Sequence, residues 1–102
     1  MLERNLFKTV LNKKGGLRLD YYLLENTEKS ENKYGVELRQ VPIDTFSACP
    51  YLKASASDIC GSYEKICEFL ESISAGEVDP ATLFDIIEDT FENNWKGTVS
   101  LK

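Results

Sequence analysis

Apolar and polar residues alternate along two stretches in the first half of the chain, residues 17–25 and 34–41. A period of two puts successive side chains on opposite faces, which is typical of a β-strand that is buried on one face. Both stretches are therefore predicted to be strands. Their buried face should consist of Leu17, Leu19, Tyr21, Leu23, Tyr34, Val36 and Leu38.

An earlier stretch, residues 6–11, is rich in strand-forming residue types but apolar on both faces. A regular strand would therefore leave one apolar pair facing away from the core. Two such pairs fit the sequence, and they are Phe7 with Leu11 and Leu6 with Val10.

The polar segments between these stretches predict hairpin connections. Residues 12–16 end in two glycines, which adopt positive φ with little strain and favour a tight turn. Residues 26–33 are all polar and predict a longer loop. Pro42 cannot donate a main-chain hydrogen bond, so residues 41–46 are at best an edge strand.

Apolar residues recur every three or four positions in the second half of the chain, which is typical of helices packed on a core. The first row is Ile59, Tyr63, Ile66, Cys67, Leu70 and Ile73. Ser55 or Ser57 is the predicted N-cap, because a hydroxyl accepts from an unpaired N–H of the first turn. Gly76 fits the left-handed position just beyond the helix end.

A second helix is predicted from Asp79 as N-cap and Pro80 as the first helical residue. It has two opposed faces. The apolar face is Leu83, Phe84, Ile87, Phe91 and Trp95, and the other face carries the carboxylates Asp85, Glu88, Asp89 and Glu92. The connection to the first helix is short, so the two helices should pack antiparallel as a hairpin.

These elements predict a single α+β domain over residues 1–102. A small antiparallel sheet of three to four strands, a meander within residues 1–47, should be followed by a two-helix hairpin within residues 55–95, packed on one face of the sheet. Residues 98–101 are left open as a further short strand. The predicted core is Leu17, Leu19, Tyr21, Leu23, Val36, Leu38, Ile66, Leu70, Leu83, Ile87 and Phe91.

Charge is unevenly distributed in a chain of net charge −5 and pI near 4.7. Residues 1–18 contain five basic residues and one acidic residue, whereas residues 57–95 contain ten acidic residues and one basic residue. The two segments should attract each other, within one chain or between copies. The acidic balance argues against nucleic acid or an anionic membrane as a partner.

Three cysteines, an odd number, and no Cys-x-x-Cys motif argue against a disulfide framework. The first residues lack the basic and apolar pattern of a signal peptide, and no apolar run has the length of a membrane span. A reducing cytoplasm is therefore the expected location.

Catalytic chemistry has little support in this sequence. The chain contains no histidine, the side chain best suited to proton transfer near neutral pH. No catalytic residue, metal ligand or cofactor-binding residue is predicted. Cys60 and Cys67 lie seven residues apart on the predicted helix and are expected to pack in the core, and Cys49 is the most exposed thiol expected.

Two surfaces remain as candidate interaction faces. The carboxylates Asp85, Glu88, Asp89 and Glu92 are either a solvated face, an ionic contact with a basic surface, or ligands of a divalent metal. The second surface is the side of the sheet that carries Tyr22 and Leu24. It should be covered by loops of the same chain, by a second copy in a homodimer, or by another protein.

Three motifs resemble those of a family of short uncharacterised proteins from anaerobic Gram-positive, clostridial-type bacteria. They are Tyr21-Tyr-Leu-Leu-Glu25, Tyr34-Gly-Val-Glu37 and Val78-Asp-Pro-Ala-Thr-Leu-Phe-Asp-Ile-Ile-Glu-Asp89. The resemblance covers residues 17–91 and supports the architecture and a bacterial cytosolic setting. It brings no activity or site residue.

The expected function is that of a small non-enzymatic interaction or regulatory protein, which self-associates or binds a protein partner. Two alternatives stay open. An acidic mimic would occupy a nucleic-acid-binding protein by offering carboxylates in place of phosphates. A small-ligand or metal-dependent enzyme would require a deep pocket with convergent polar groups.

Overall fold

A computed structural model describes residues 2–12, 16–28, 30–31, 33–43, 52–91 and 96–101. The elements in these residues are β1 (Leu2–Asn12), β2 (Leu17–Asn26), β3 (Tyr34–Pro42), β4 (Leu52–Cys60), α1 (Tyr63–Ala75), α2 (Leu83–Thr90) and β5 (Lys96–Leu101). The five described strands form one antiparallel sheet in the order β1-β2-β3-β4-β5. The α+β prediction is confirmed: a four-stranded meander precedes two helices, and residues 96–101 then return to pair with β4.

The core lies between the sheet and the helices, on the face we call the helix side. Nine of the eleven predicted core residues are buried there, while Leu17 and Phe91 are only half-buried. The predicted core omitted several residues of the buried cluster, namely Tyr34, Ala54, Ala56, Ile59, Cys60, Phe69 and Ile73. The opposite face of the sheet is called the outer face below.

A β-bulge explains why β1 is apolar on both faces. The pairing with β2 shifts between Leu6, opposite Tyr22, and Lys8, opposite Tyr21. Directly opposed residues of a sheet share a face, so Leu6 lies on the outer face with Tyr22. Phe7 and Val10 pack against the core. Neither predicted pair therefore stays together. The extra residue reverses the alternation within the strand, so Leu6 and Leu11 lie on the outer face while Phe7 and Val10 face the core.

β4 occupies residues that were predicted to begin the first helix. Ser55, Ser57 and Ile59 belong to the strand, and α1 begins at Tyr63 with Ser62 as its N-cap. The Ser62 hydroxyl accepts from the Lys65 N–H at 3.2 Å. The predicted helical start at Ser55 or Ser57 was wrong. Residues 54–57 alternate Ala and Ser with the period of two of a strand, but side chains this small give the alternation little hydrophobic contrast.

The strands β3 and β4 approach closely beside Gly35. A Cβ atom at this position would collide with the main-chain carbonyl of Ala56. The register between the two strands shifts next to it, between Tyr34 and Val36, and Asp58 on the opposing strand has a φ of 63°. Glycine is required here because any side chain would push the strands apart.

The end of α1 differs from the prediction by one residue. Gly76 has a φ of −85°, and Glu77 takes the left-handed conformation with a φ of 51°. The Glu77 N–H donates to the Ser74 carbonyl at 3.1 Å, and the Val78 N–H donates to the Ile73 carbonyl at 2.9 Å. This pair of bonds is a Schellman motif, with a non-glycine residue in its strained position.

The second helix also begins later than predicted. Asp79 and Pro80 precede a turn, and α2 starts at Leu83. The Asp79 carboxylate accepts from both the main-chain N–H and the hydroxyl of Thr82, at 3.1 and 3.0 Å. Asp79 therefore caps the turn that leads into the helix rather than the helix itself.

Candidate functional site

The outer face of the sheet is organised around a buried carboxylate. Glu37 on β3 is 1 % exposed. It accepts from Arg4 Nη2 on β1 at 3.0 Å and from Arg39 Nε on β3 at 2.7 Å. A buried ion is tolerated only when it is paired and hydrogen-bonded. The two arginines meet that requirement and tie the edge strand β1 to β3 across β2.

An aromatic side chain completes this cluster. The Arg39 guanidinium carbon lies 4.6 Å from the centroid of the Tyr22 ring, which is a cation–π geometry. Tyr22 is half-buried and lies on the predicted candidate face. Leu24 is only 2 % exposed within a single copy. The expectation that Leu24 offers surface to a partner was wrong, because the chain itself already covers it.

A second ion pair lies beside the first on the same face. Asp20 on β2 is buried, accepts from the Thr9 hydroxyl at 2.9 Å, and pairs with Arg18 at 3.2 Å. The acidic groups of the described outer face thus lie beneath basic ones, since the side chains of Arg4, Arg18 and Arg39 remain partly exposed. The outer face is locally basic within an acidic protein.

Exposed leucines line the edge of this face. Among the described residues, the exposed large apolar side chains are Leu2, Leu6, Leu11, Ile43 and Tyr63. The three leucines, 49 %, 58 % and 54 % exposed, pair with Asn26, Tyr22 and Arg18 of β2. They form one row along β1, which we call the leucine row.

Within the described residues, no ion pair joins the carboxylates predicted on the second helix to the basic first strands. Asp85, Glu88 and Asp89 are exposed, and Glu92 lies outside the described residues. In the part of the chain that the structure describes, Arg4 pairs with Glu37 and Arg18 with Asp20 instead. The acidic face therefore stays available to solvent or to a partner.

The two described cysteines do not lie on one helix, although the sequence predicted that they would. Cys60 ends β4 and is buried, while Cys67 lies on α1 and is half-buried. The Cys60 thiol donates to the Ser62 carbonyl at 3.5 Å, and burial raises the pKa of this thiol. Cys49 lies outside the described residues. Among the residues that are described, no group of three or more His, Cys, Asp or Glu side chains could hold a metal ion.

A groove of about 430 Å³ lies between the two helices. Its described lining is Lys65, Glu68, Phe69, Thr90 and Phe91. The two phenylalanine rings meet edge to face, with centroids 5.1 Å apart. The described lining of the groove therefore combines two aromatic rings with one cation and one carboxylate.

A model of a family of unknown function, DUF6514, matches residues 2–93. The chain belongs to this family. The match spans β1 to α2 and so includes the leucine row, the Glu37 cluster and the described carboxylates of α2. No curated protein and no solved structure matches the chain. Within the described residues, no helix is both long and apolar enough to cross a membrane.

The Glu37 cluster was missed at the level of sequence. Alternation along β3 places Glu37 and Arg39 on the face away from the core, where charged residues are ordinarily solvated. The available signal was the repetition of charge at outer positions of three neighbouring strands, namely Arg4, Arg18, Asp20, Glu37 and Arg39. Only the register across the strands shows that these charges meet.

Proposed function

We propose that this protein is a non-enzymatic, cytoplasmic bacterial protein that acts by self-association through the outer face of its sheet. The observation that carries the proposal is the leucine row. Single exposed leucines are ordinary on protein surfaces, but three recur on the outer face of the bulged strand β1, where Arg4 and Thr9 interrupt the apolar strip that they form. A second copy would remove the leucines of this strip from water.

The neighbours of the leucine row support an interface. Arginine and tyrosine are enriched at protein interfaces, because they combine apolar area with hydrogen bonding. Arg4, Arg39 and Tyr22 are already held in place by Glu37 and by the stacking contact. Side chains that are ordered in the free protein lose less conformational entropy on association.

Sedimentation velocity across a concentration series tests the proposal. The wild type should show a reversible, concentration-dependent increase in mass into the high micromolar range. Leu6→Glu should remain a monomer, since it places a carboxylate in the centre of the strip. Because Leu6 is 58 % exposed, the variant should melt at nearly the same temperature as the wild type.

Glu88→Gln on the exposed face of α2 is the matched control and should associate like the wild type. A wild type that stays monomeric throughout contradicts self-association. Association that survives Leu6→Glu but is lost in Glu88→Gln would instead place the self-association contact on the acidic helix and contradict the outer-face proposal.

A further inference from the structure

The charges around the leucine row are unsuited to a contact between two outer faces. The side chains of Arg4 and Arg18 are 40 % and 43 % exposed, whereas their partners Glu37 and Asp20 are buried. Lys53 on β4 adds a further cation to this face. Like charges placed opposite each other oppose association. The surface around the leucine row therefore favours a partner that is both acidic and partly apolar.

The first helix of the same protein carries that combination. Glu64, Glu68 and Glu71 are exposed and recur at i, i+4 and i+7 on α1, so they form one line that we call the acidic row. Tyr63 lies next to this row at the start of α1 and is 56 % exposed. The described residues of α2 also include exposed carboxylates, but no exposed large apolar side chain. Of the two described helices, α1 is therefore the one that matches both the arginines and the leucines.

We infer that the protein associates head to tail, with the leucine row and the flanking arginines of one copy bound to the acidic row and Tyr63 of the next copy. This contact rests on the proposed self-association and names the surface of the second copy that completes it. The carboxylates pair with guanidinium groups that a single copy leaves partly exposed. The Tyr63 ring covers leucine side chains, as aromatic residues commonly do at interfaces.

The lengths of the two surfaces agree. α1 has 13 residues and is therefore about 20 Å long. Arg4 faces Leu24 of β2, and Arg18 lies six residues before Leu24 on that strand. The two arginines are therefore about 20 Å apart along the strands, with Leu6 between them. One helix can lie over Leu6 and reach an arginine at each end. The side chains of β2 and β3 that a single copy already buries take no part in this contact.

A head-to-tail contact does not end at a dimer. The dimer keeps a free leucine row on one copy and a free acidic row on the other, so it grows into a chain or closes into a ring. The average mass in sedimentation should therefore rise beyond that of a dimer as the concentration increases. The association should also weaken several-fold when NaCl is raised, since salt screens exposed charge pairs.

Complementation between two defective variants tests this arrangement. Leu6→Glu blocks the leucine row, and Glu68→Lys/Glu71→Lys blocks the acidic row. Each variant alone should sediment as a monomer. An equimolar mixture should form a heterodimer and grow no further, because it offers one intact leucine row to one intact acidic row. All of these side chains are exposed, so both variants should melt close to the wild-type temperature.

Glu88→Lys/Asp89→Lys on α2 is the matched control, because it changes the net charge by the same amount at exposed positions. It should associate like the wild type. Wild-type association of Glu68→Lys/Glu71→Lys, or a mixture that stays monomeric, overturns the head-to-tail contact and leaves self-association through the outer face standing. Loss of association in the α2 control also overturns it, since net charge rather than the acidic row would then decide. A wild type that sediments as a monomer overturns the proposed function and the head-to-tail contact together.

Discussion

The end of α1 offers a direct test of local backbone strain. Gly76, which tolerates a left-handed conformation, has a φ of −85°, and Glu77, which does not, has a φ of 51°. The double variant Gly76→Ala/Glu77→Gly puts glycine at the left-handed position and a residue with a Cβ at the ordinary one, so it should stabilise the protein. Both positions are exposed, so the substitutions leave the core unchanged.

The expected gain in the free energy of unfolding is the sum of separate contributions from the two positions. A non-glycine residue in the left-handed region costs about 1–2 kcal/mol. Replacing Glu77 by glycine relieves this strain but adds about 0.4–1 kcal/mol of unfolded-state entropy, which leaves a gain of about 0.5–1 kcal/mol. Gly76→Ala should add about 0.4–1 kcal/mol, since its new Cβ would approach no atom closer than 3.5 Å. The double variant should gain about 1–2 kcal/mol.

Urea unfolding of the wild type, both single variants and the double variant measures these gains as shifts of the midpoint at constant slope. Glu77→Ala is the matched control, because it removes the same carboxylate but keeps a Cβ in the left-handed conformation. It should gain far less than Glu77→Gly. Equal midpoints for Glu77→Ala and Glu77→Gly would refute the strain explanation and attribute any gain to the lost charge at the helix end.

Four further predictions concern single side chains. Asp79→Ala should lower the free energy of unfolding by about 0.5–2 kcal/mol, because Thr82 loses its acceptor, and an unchanged urea midpoint would remove the capping role. Glu88→Lys should leave stability unchanged or raise it by a few tenths of a kcal/mol, and a loss above about 1 kcal/mol would show that Glu88 is paired. Glu37→Gln should cost about 1–3 kcal/mol, less than for a fully buried pair because both arginines reach water, and a neutral effect in a thermal melt would contradict the cluster. Burial and nearby carboxylates raise the pKa of Tyr21, so stability should fall as pH rises above 10.0, the ordinary pKa at which the unfolded chain ionises, and Tyr21→Phe should flatten that pH dependence.

Much of the helix-side core could be predicted from sequence. The alternation of residues 17–25 and 34–41 identified β2 and β3, and helical spacing identified Ile66, Leu70, Leu83 and Ile87 as buried. These residues are large and apolar, and their period differs clearly between strand and helix. Where side chains are small, as in the Ala and Ser residues of β4, the same reasoning failed because the pattern carries little hydrophobic contrast.

The two helix ends show a different limit. Asp79, Pro80 and Gly76 are residue types that favour helix boundaries, and each lies near one. Their exact roles were misplaced by one to three residues, since the exact end of a helix depends on where the chain must turn to reach the next element. Residue types therefore indicate the approximate position of a helix boundary, whereas tertiary packing decides the residue at which the helix begins or ends.

The sequence by itself determined the fold class, the strands β2 and β3, the presence of the two helices, and most of the helix-side core, because these follow from local periodicity. Only the tertiary structure decided the outer face. Glu37 and Arg4 are 33 residues apart, and their meeting depends on the register of three strands and on a one-residue bulge beside Leu6. A bulge reverses which side chains face out while leaving composition unchanged, so the burial of Glu37 and Leu24 and the exposure of the leucine row arise only when the strands pair.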